Sequence, residues 1–486
     1  MDAFDVKNLE SLPVMKRVRG DFLLSLYRNV LQLRAKKLLN VDLQNPAPTD
    51  KFSSYAFLGP GLLAPGFCSG QNEQLPLFPV YWRILNNPIP DVSVLDDPAA
   101  QCTFLVQAVI LAAFGISVVS REEAGMETLR LLWERLFPWV LFLHEHFAAL
   151  PLACRALTTE EEILSVFLSI SLGALGNHSS HLLVPGMTKL LFRAWSLVLK
   201  SGCGSCNPPK IKALGGVMRA YSESEFTAAQ LDEATHGLGS DAEGIAELIS
   251  DALDRATRMM QHPRKRGPTI FDVPDLSEEL LLFGATRTLI FSIRPLLPSL
   301  PSMLAQCINA KSVCKMMEGL ADLGVKAPPG DIRRASIHDA ASTLLVILSD
   351  LIVVNRRFLS SALKQGLLFS VAGLCQDPNP TSNAFAADAG CFVRQILRPC
   401  TFFSAQSPLF AAALALAEPL TTTAAFRENG FITKWDEFIH MFTVNRTVFE
   451  SSPDPGLELA GCDNLDVRSL FQPHDPSDIM LKLTSS

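Results

Sequence analysis

Four groups of side chains in this 486-residue sequence are of the types that hold metals or move protons. Cys203-Gly-Ser-Cys206 has the C-x2-C spacing of half a zinc knuckle or of a redox dithiol. His178-Ser-Ser-His181 and His144-Glu-His146 could each offer two imidazoles. Cys462 stands in AGCDNLDVR, with no cysteine after it and His474 as the one later histidine.

None of these groups completes a site by spacing alone. Structural zinc takes four ligands, and Cys203 and Cys206 have no second pair or histidine cluster nearby. A thioredoxin-like dithiol needs a βαβ setting, which a helical region does not offer. Both cysteines therefore read as incidental loop thiols. Neither histidine pair has the i, i+4 spacing of H-E-x-x-H. His178 and His181 read as solvated loop residues, and His144 and His146 as snorkelling or core residues beside Phe147. No G-x-S-x-G elbow, P-loop or G-x-G-x-x-G is present. An enzyme of unrecognised type would need His178, His181, Cys203 and Cys206 to meet in one pocket. The expectation is no catalytic residue.

The composition sets the class. Apolar residues make up 48% and charged residues 19%, against a usual charged share of about 25%, and mean hydropathy is +0.23. Such a chain is globular and richly cored. It carries 30 Phe but only 4 Tyr, and phenyl rings can be buried without a hydrogen-bond partner. Its net charge of −7 supplies no basic field for nucleic acid, so general nucleic-acid binding is not expected. Eleven scattered cysteines, an odd count, fit a reducing compartment. The opening MDAFDVKNLES has neither a secretory core segment nor a transit-peptide composition. A cytoplasmic or nuclear location is expected. The basic clusters at 16–19 and 262–266 read as solvated surface rather than nuclear addresses.

The uncharged run from Cys102 to Ser120 reaches about the minimum length for crossing a bilayer. A membrane-associated protein using 102–120 is the competing reading. Gln107, Ser117 and acidic flanks favour a buried helix instead.

What must position all these residues is helical. Residues 13–39 form an amphipathic stripe that Pro46 and Pro48 end, giving an N-terminal helix and linker over 1–45. Thr158 or Thr159 with Glu161 or Glu162 makes a capping box for a helix running to about Leu175. MTKLLFRAWSLVLK follows as its hairpin partner. Ser336 with Asp339 caps another helix, with Ile337, Ala341, Leu344, Leu345, Leu348, Leu351 and Ile352 on its apolar stripe. Its partner starts at Asn355 and carries Phe358, Leu359, Ala362, Leu363, Leu367, Leu368, Val371 and Leu374. Hairpins of this size stack, because a neighbouring unit covers the face that one pair leaves open. The expected fold is all-α, an armadillo/HEAT-like α-α superhelix forming an irregular solenoid over 55–450, with a subdivision near 262–277. The proline-punctuated stretch 451–486 reads as a mobile tail.

Two resemblances sharpen this reading. VVNRRFLSSALKQGLLFSVAGLCQD resembles the last two helices of an armadillo repeat, with Gly366 opening the final helix. That helix lacks the asparagine with which armadillo grooves hold an extended peptide. HLLVPGMTKLLFRAWSLVLKSG, FITKWDEFIHMFTVNRTVFE and AGCDNLDVR together resemble the helical region of large fungal proteins that end in a MYND-type zinc finger. Trp435 matches the helix preceding the finger, and Cys462, Asp463 and Asn464 match its opening. The resemblance implies that Cys462 is the orphan first ligand of a finger lost by truncation, missed splicing or altered reading frame. One thiol and His474 cannot fold such a module. No cofactor is expected in this chain, with zinc only in a form carrying a complete finger. The expected function is a non-catalytic scaffold for protein–protein contacts, with partners the resemblance does not identify.

Overall fold

The computed structural model describes residues 78–95, 101–117, 125–175, 184–200, 208–222, 226–261, 278–326, 332–376 and 383–451. Among them every regular element is helical, so the fold is all-α. The segment 1–45, the stretch 262–277, the tail after Ser451, and Cys203, Cys206, His178, His181, Cys462 and His474 all lie outside the described residues. Two compact units divide the chain. The described residues of the first fall within 78–252 and 281–298, and those of the second within 253–280 and 299–451.

The first unit holds α1 (Phe78–Leu85), α2 (Gln101–Ser117), α3 (Met126–Glu145), the short α4 (Leu152–Arg155), α5 (Glu160–Leu175), α6 (Met187–Lys200), α7 (Pro208–Ser222) and α8 (Ala228–Leu238). It also takes the start of α9 (Ala242–Gln261) and most of α10 (Glu278–Ile293). α5 begins where the capping box demands. Glu162 N donates to Thr159 Oγ1 at 3.2 Å, and Thr159 N donates back to Glu162 Oε2 at 2.8 Å. Glu160, Glu161 and Glu162 also place negative charge at the positive end of the helix dipole.

Beyond hairpin neighbours, helices of this unit pack on their second-next neighbours. α5 lies against α3 and α7, and α6 against α8. The α6–α8 approach is close because Gly237 has no side chain: a Cβ there would sit 2.2 Å from the Lys189 carbonyl oxygen. α2 packs on α1, α4 and α5. Its Leu105, Val106, Val109, Ile110, Ala112 and Ile116 are buried. Those burials place the uncharged run, as far as Ser117, inside the first unit's core.

The second unit holds α11 (Leu300–Cys307), α12 (Ala310–Lys326), α13 (Ile332–Val354), α14 (Arg356–Lys364), α15 (Leu367–Leu374) and α16 (Asn383–Phe392). A π-helical turn (Val393–Leu397) leads to α17 (Arg398–Cys400), α18 (Ser407–Thr421), α19 (Ala424–Glu428) and α20 (Ile432–Ser451). Two rows of contacts run through it. α12, α15 and α18 pack in succession, and α13 packs on α16, whose π-helical continuation packs on α20.

The apolar stripe of α13 is buried as its spacing predicts, from Ile337 to Ile352. Its start differs from the expectation. Ser336 and Asp339 lie inside α13, which opens at Ile332. The helical φ/ψ run extends a turn further back because Arg333, Arg334 and Ala335 are good helix formers and no proline or glycine intervenes. Asn355 caps the next helix, accepting from Arg357 N at 3.1 Å. Gly366, at φ +86°, breaks it from α15, and that left-handed conformation suits glycine. One described stretch, Arg334–Val354, is long and apolar enough to cross a membrane, and most of it is buried within the protein.

Candidate functional site

Of the chemistry-bearing residues read from the sequence, the structure describes His144 and His146. Both sit at the end of α3. His146 packs its ring against Phe142, the centroids 5.2 Å apart.

His144 is the member with a polar environment. Its side chain is 10% exposed, and its Nδ1 faces Glu160 Oε1 at 3.4 Å. The geometry leaves Nδ1 enclosed and without a hydrogen bond. Glu160 is also held by Arg193 Nε at 3.1 Å, and beside them Lys189 donates to Glu145 at 2.7 Å. The capping box places Glu160 at the first position of α5. The α6 register puts Lys189 and Arg193 one turn apart on a single face. His144, Glu145, Glu160, Lys189 and Arg193 thus form a charged seam across α3, α5 and α6. Burial pushes the His144 imidazole below its ordinary value, against the pull of the Glu160 carboxylate; the Arg193 and Lys189 cations add to the depression.

A second polar device lies next to the seam. Glu233 of α8 accepts from Gly186 N at 2.8 Å and from Thr188 N at 3.2 Å. Its carboxylate therefore caps the start of α6 from a different helix, where the helix dipole also favours negative charge. Deeper in the same unit, Trp195 Nε1 is buried with no hydrogen-bond partner among the described residues.

Chemically, a histidine beside a carboxylate can serve as a base when a substrate atom lies within about 3 Å of the free imidazole nitrogen. Here the described nitrogen is closed in and its carboxylate is shared with a guanidinium. The arrangement fastens three helices to one another. No group of three or more His, Cys, Asp or Glu side chains is placed to hold a metal among the described residues. Buried Cys314 is pushed up to about 12, chiefly by burial, which keeps it a thiol at neutral pH. Cys375 is raised by the same cause.

The sequence signal for the seam was incomplete. The Thr159–Glu162 box was legible, but the pairing of Glu160 with His144 and Arg193 depends on which helices meet. Glu233 carried no local signal at all.

The fold and the seam define an all-α protein built from successive packed helices. No family model, no curated protein and no solved structure matches the chain.

Proposed function

We propose that this protein is a non-catalytic helical scaffold for protein–protein contacts, arranged as an irregular armadillo/HEAT-like superhelix. The observation that carries the reading is the row packing of the second unit, in which α12, α15 and α18 follow one another and α13 leads through α16 to α20. Rows of this sort extend a core by addition and leave an elongated face available to partners. Large apolar side chains stand in solvent in each unit. Leu416 on α18 is 53% exposed and Leu152 on α4 is 75% exposed. Single exposed leucines are ordinary, so the test must read contact rather than exposure.

The partners are proteins, and the role of the chain is to present a surface. Its likeness to the helical part of MYND-finger proteins extends the proposal to an adaptor whose finger, with its zinc, belongs to another form of the protein. A photo-crosslinking amino acid placed at Leu416 in cells tests the scaffold reading, with exposed Asp436 on α20 as the control position. Discrete protein adducts at 416 that are absent at 436 are expected. Identical adduct patterns at the two positions would remove the assignment of that face.

A further inference from the structure

A groove of about 410 Å³ lies between α16 and the start of α20, within the second unit. The two helical segments run in the same direction. Gly390 stands beside Lys434, where a Cβ would meet Lys434 Cγ at 3.3 Å, and further along Asn445 Nδ2 donates to Thr401 Oγ1 at 2.8 Å. That buried bond and the packing of the π-helical turn on α20 close the far end. The near end stays open because the side chains there are small. Ala386, Ala387 and Gly390 line it from α16, and Gly430 lines it with nothing within 4 Å of where its Cβ would be.

The remaining lining side chains are Cys391, Arg394 and Lys434, so the walls carry two cations and no carboxylate. Arg394 is exposed and makes no ion pair among the described residues. Lys434 holds Glu437 on its own helix at 3.1 Å. Surface pairs of that kind contribute little, and an ammonium has three donors, so Lys434 can take a second carboxylate. Asp388, the acidic residue of α16, stands two positions before Gly390 and is turned to nearly the opposite side of the helix. The volume is at the small end of the usual ligand range of about 300–1,000 Å³. It admits a few residues of extended chain and not a helix about 10 Å across. Walls of alanine and glycine let a backbone approach closely. A guanidinium takes a carboxylate through two parallel N–H donors, and an ammonium takes one as a point charge. Alternate residues of an extended segment share one side, about 7 Å apart, so an acidic-small-acidic run presents two carboxylates together.

We propose that this groove docks an extended acidic segment of a partner protein, in which acidic and small residues alternate. Arg394 and Lys434 hold its carboxylates, and its backbone lies along Ala387 and Gly390. The charge of the walls is what selects this occupant. The proposal rests on the scaffold reading and names the chemistry of one partner, but it uses helices other than α18, which carries Leu416.

Cys391 is exposed on the groove and reports its occupancy. The test is to alkylate the reduced full-length protein with iodoacetamide and to follow Cys391 and half-exposed Cys307 by mass spectrometry. The probe is a pool of acetylated, amidated pentapeptides of the form X-Glu-X-Glu-X, with X being Gly, Ala or Ser. At millimolar concentration the pool should slow alkylation of Cys391 several-fold and leave Cys307 unchanged. The same pool with Gln for Glu should have no effect. Arg394→Glu, at an exposed position, should abolish the protection, each rate being referred to that of the same protein without peptide. No protection, equal protection by the Gln pool, or protection that survives in Arg394→Glu would overturn the proposal. Equal slowing by glutarate alone would overturn it too, by making the groove a site for small free anions. None of these outcomes alters the adducts formed at position 416, and missing adducts at 416 leave the protection of Cys391 readable, so the two readings fail separately.

Discussion

His144 is held in its neutral form by the protein around it, and the consequence is a pH dependence with a definite sign. Burial depresses its folded-state affinity for a proton below that of the unfolded chain, whose value is near the model 6.5. Where the unfolded state binds more protons, stability rises with pH. The contribution is therefore fully present above about pH 6.5 and is lost as pH falls through the folded value. The groups facing the imidazole are Glu160, Arg193, Lys189 and Glu145. Replacing His144 by Leu should reduce the fall in melting temperature between neutral and mildly acid pH; calorimetry of both proteins at the two pH values reads it. An equal fall in the variant would assign the dependence to other histidines. Core placement was one of two readings the sequence left open for His144, snorkelling being the other. The carboxylate that faces it was not legible, since residues 144 and 160 meet only through the packing of α3 on α5.

At the scale of elements, helix existence followed from the sequence more faithfully than helix starts. MTKLLFRAWSLVLK became α6 residue for residue, because its apolar positions recur at helical spacing and its start is fixed by Gly186 at φ +84°. Gly366 ends one helix and opens the next for the same backbone reason. Ser336 misled because serine inside a helix looks, in sequence, like serine at its cap; only the backbone conformation of the residues before it distinguishes the two. The start of α6 holds the clearest element-scale prediction. Glu233→Gln keeps the size and one acceptor but removes the charge that receives two backbone N–H groups. The expected loss is about 1.5–3 kcal/mol, the range for hydrogen bonds to charged groups. Urea unfolding of wild type and variant measures it, and a change under a few tenths of a kcal/mol would show that the carboxylate is not capping α6 in solution.

For the molecule as a whole, the all-α class was legible because apolar stripes at helical spacing recur from Phe78 to Ser451 without strand alternation. The order in which helices pack was less so. Contacts such as α6 with α8, or α15 with α18, depend on where small residues allow close approach, and Gly237 against the Lys189 carbonyl is a case that no local pattern announces. Likewise, the groove between α16 and α20 exists because Ala386, Ala387, Gly390 and Gly430 come together from segments far apart in sequence. The proposed scaffold uses such packed rows to serve partners. It is tested most directly by size fractionation of native cell extract containing the wild-type protein or Leu416→Asp. The wild type is expected well above the size of its 53.1 kDa chain, with the variant shifted toward it at unchanged melting temperature. Coelution of both forms at the size of the single chain would contradict a protein-binding scaffold.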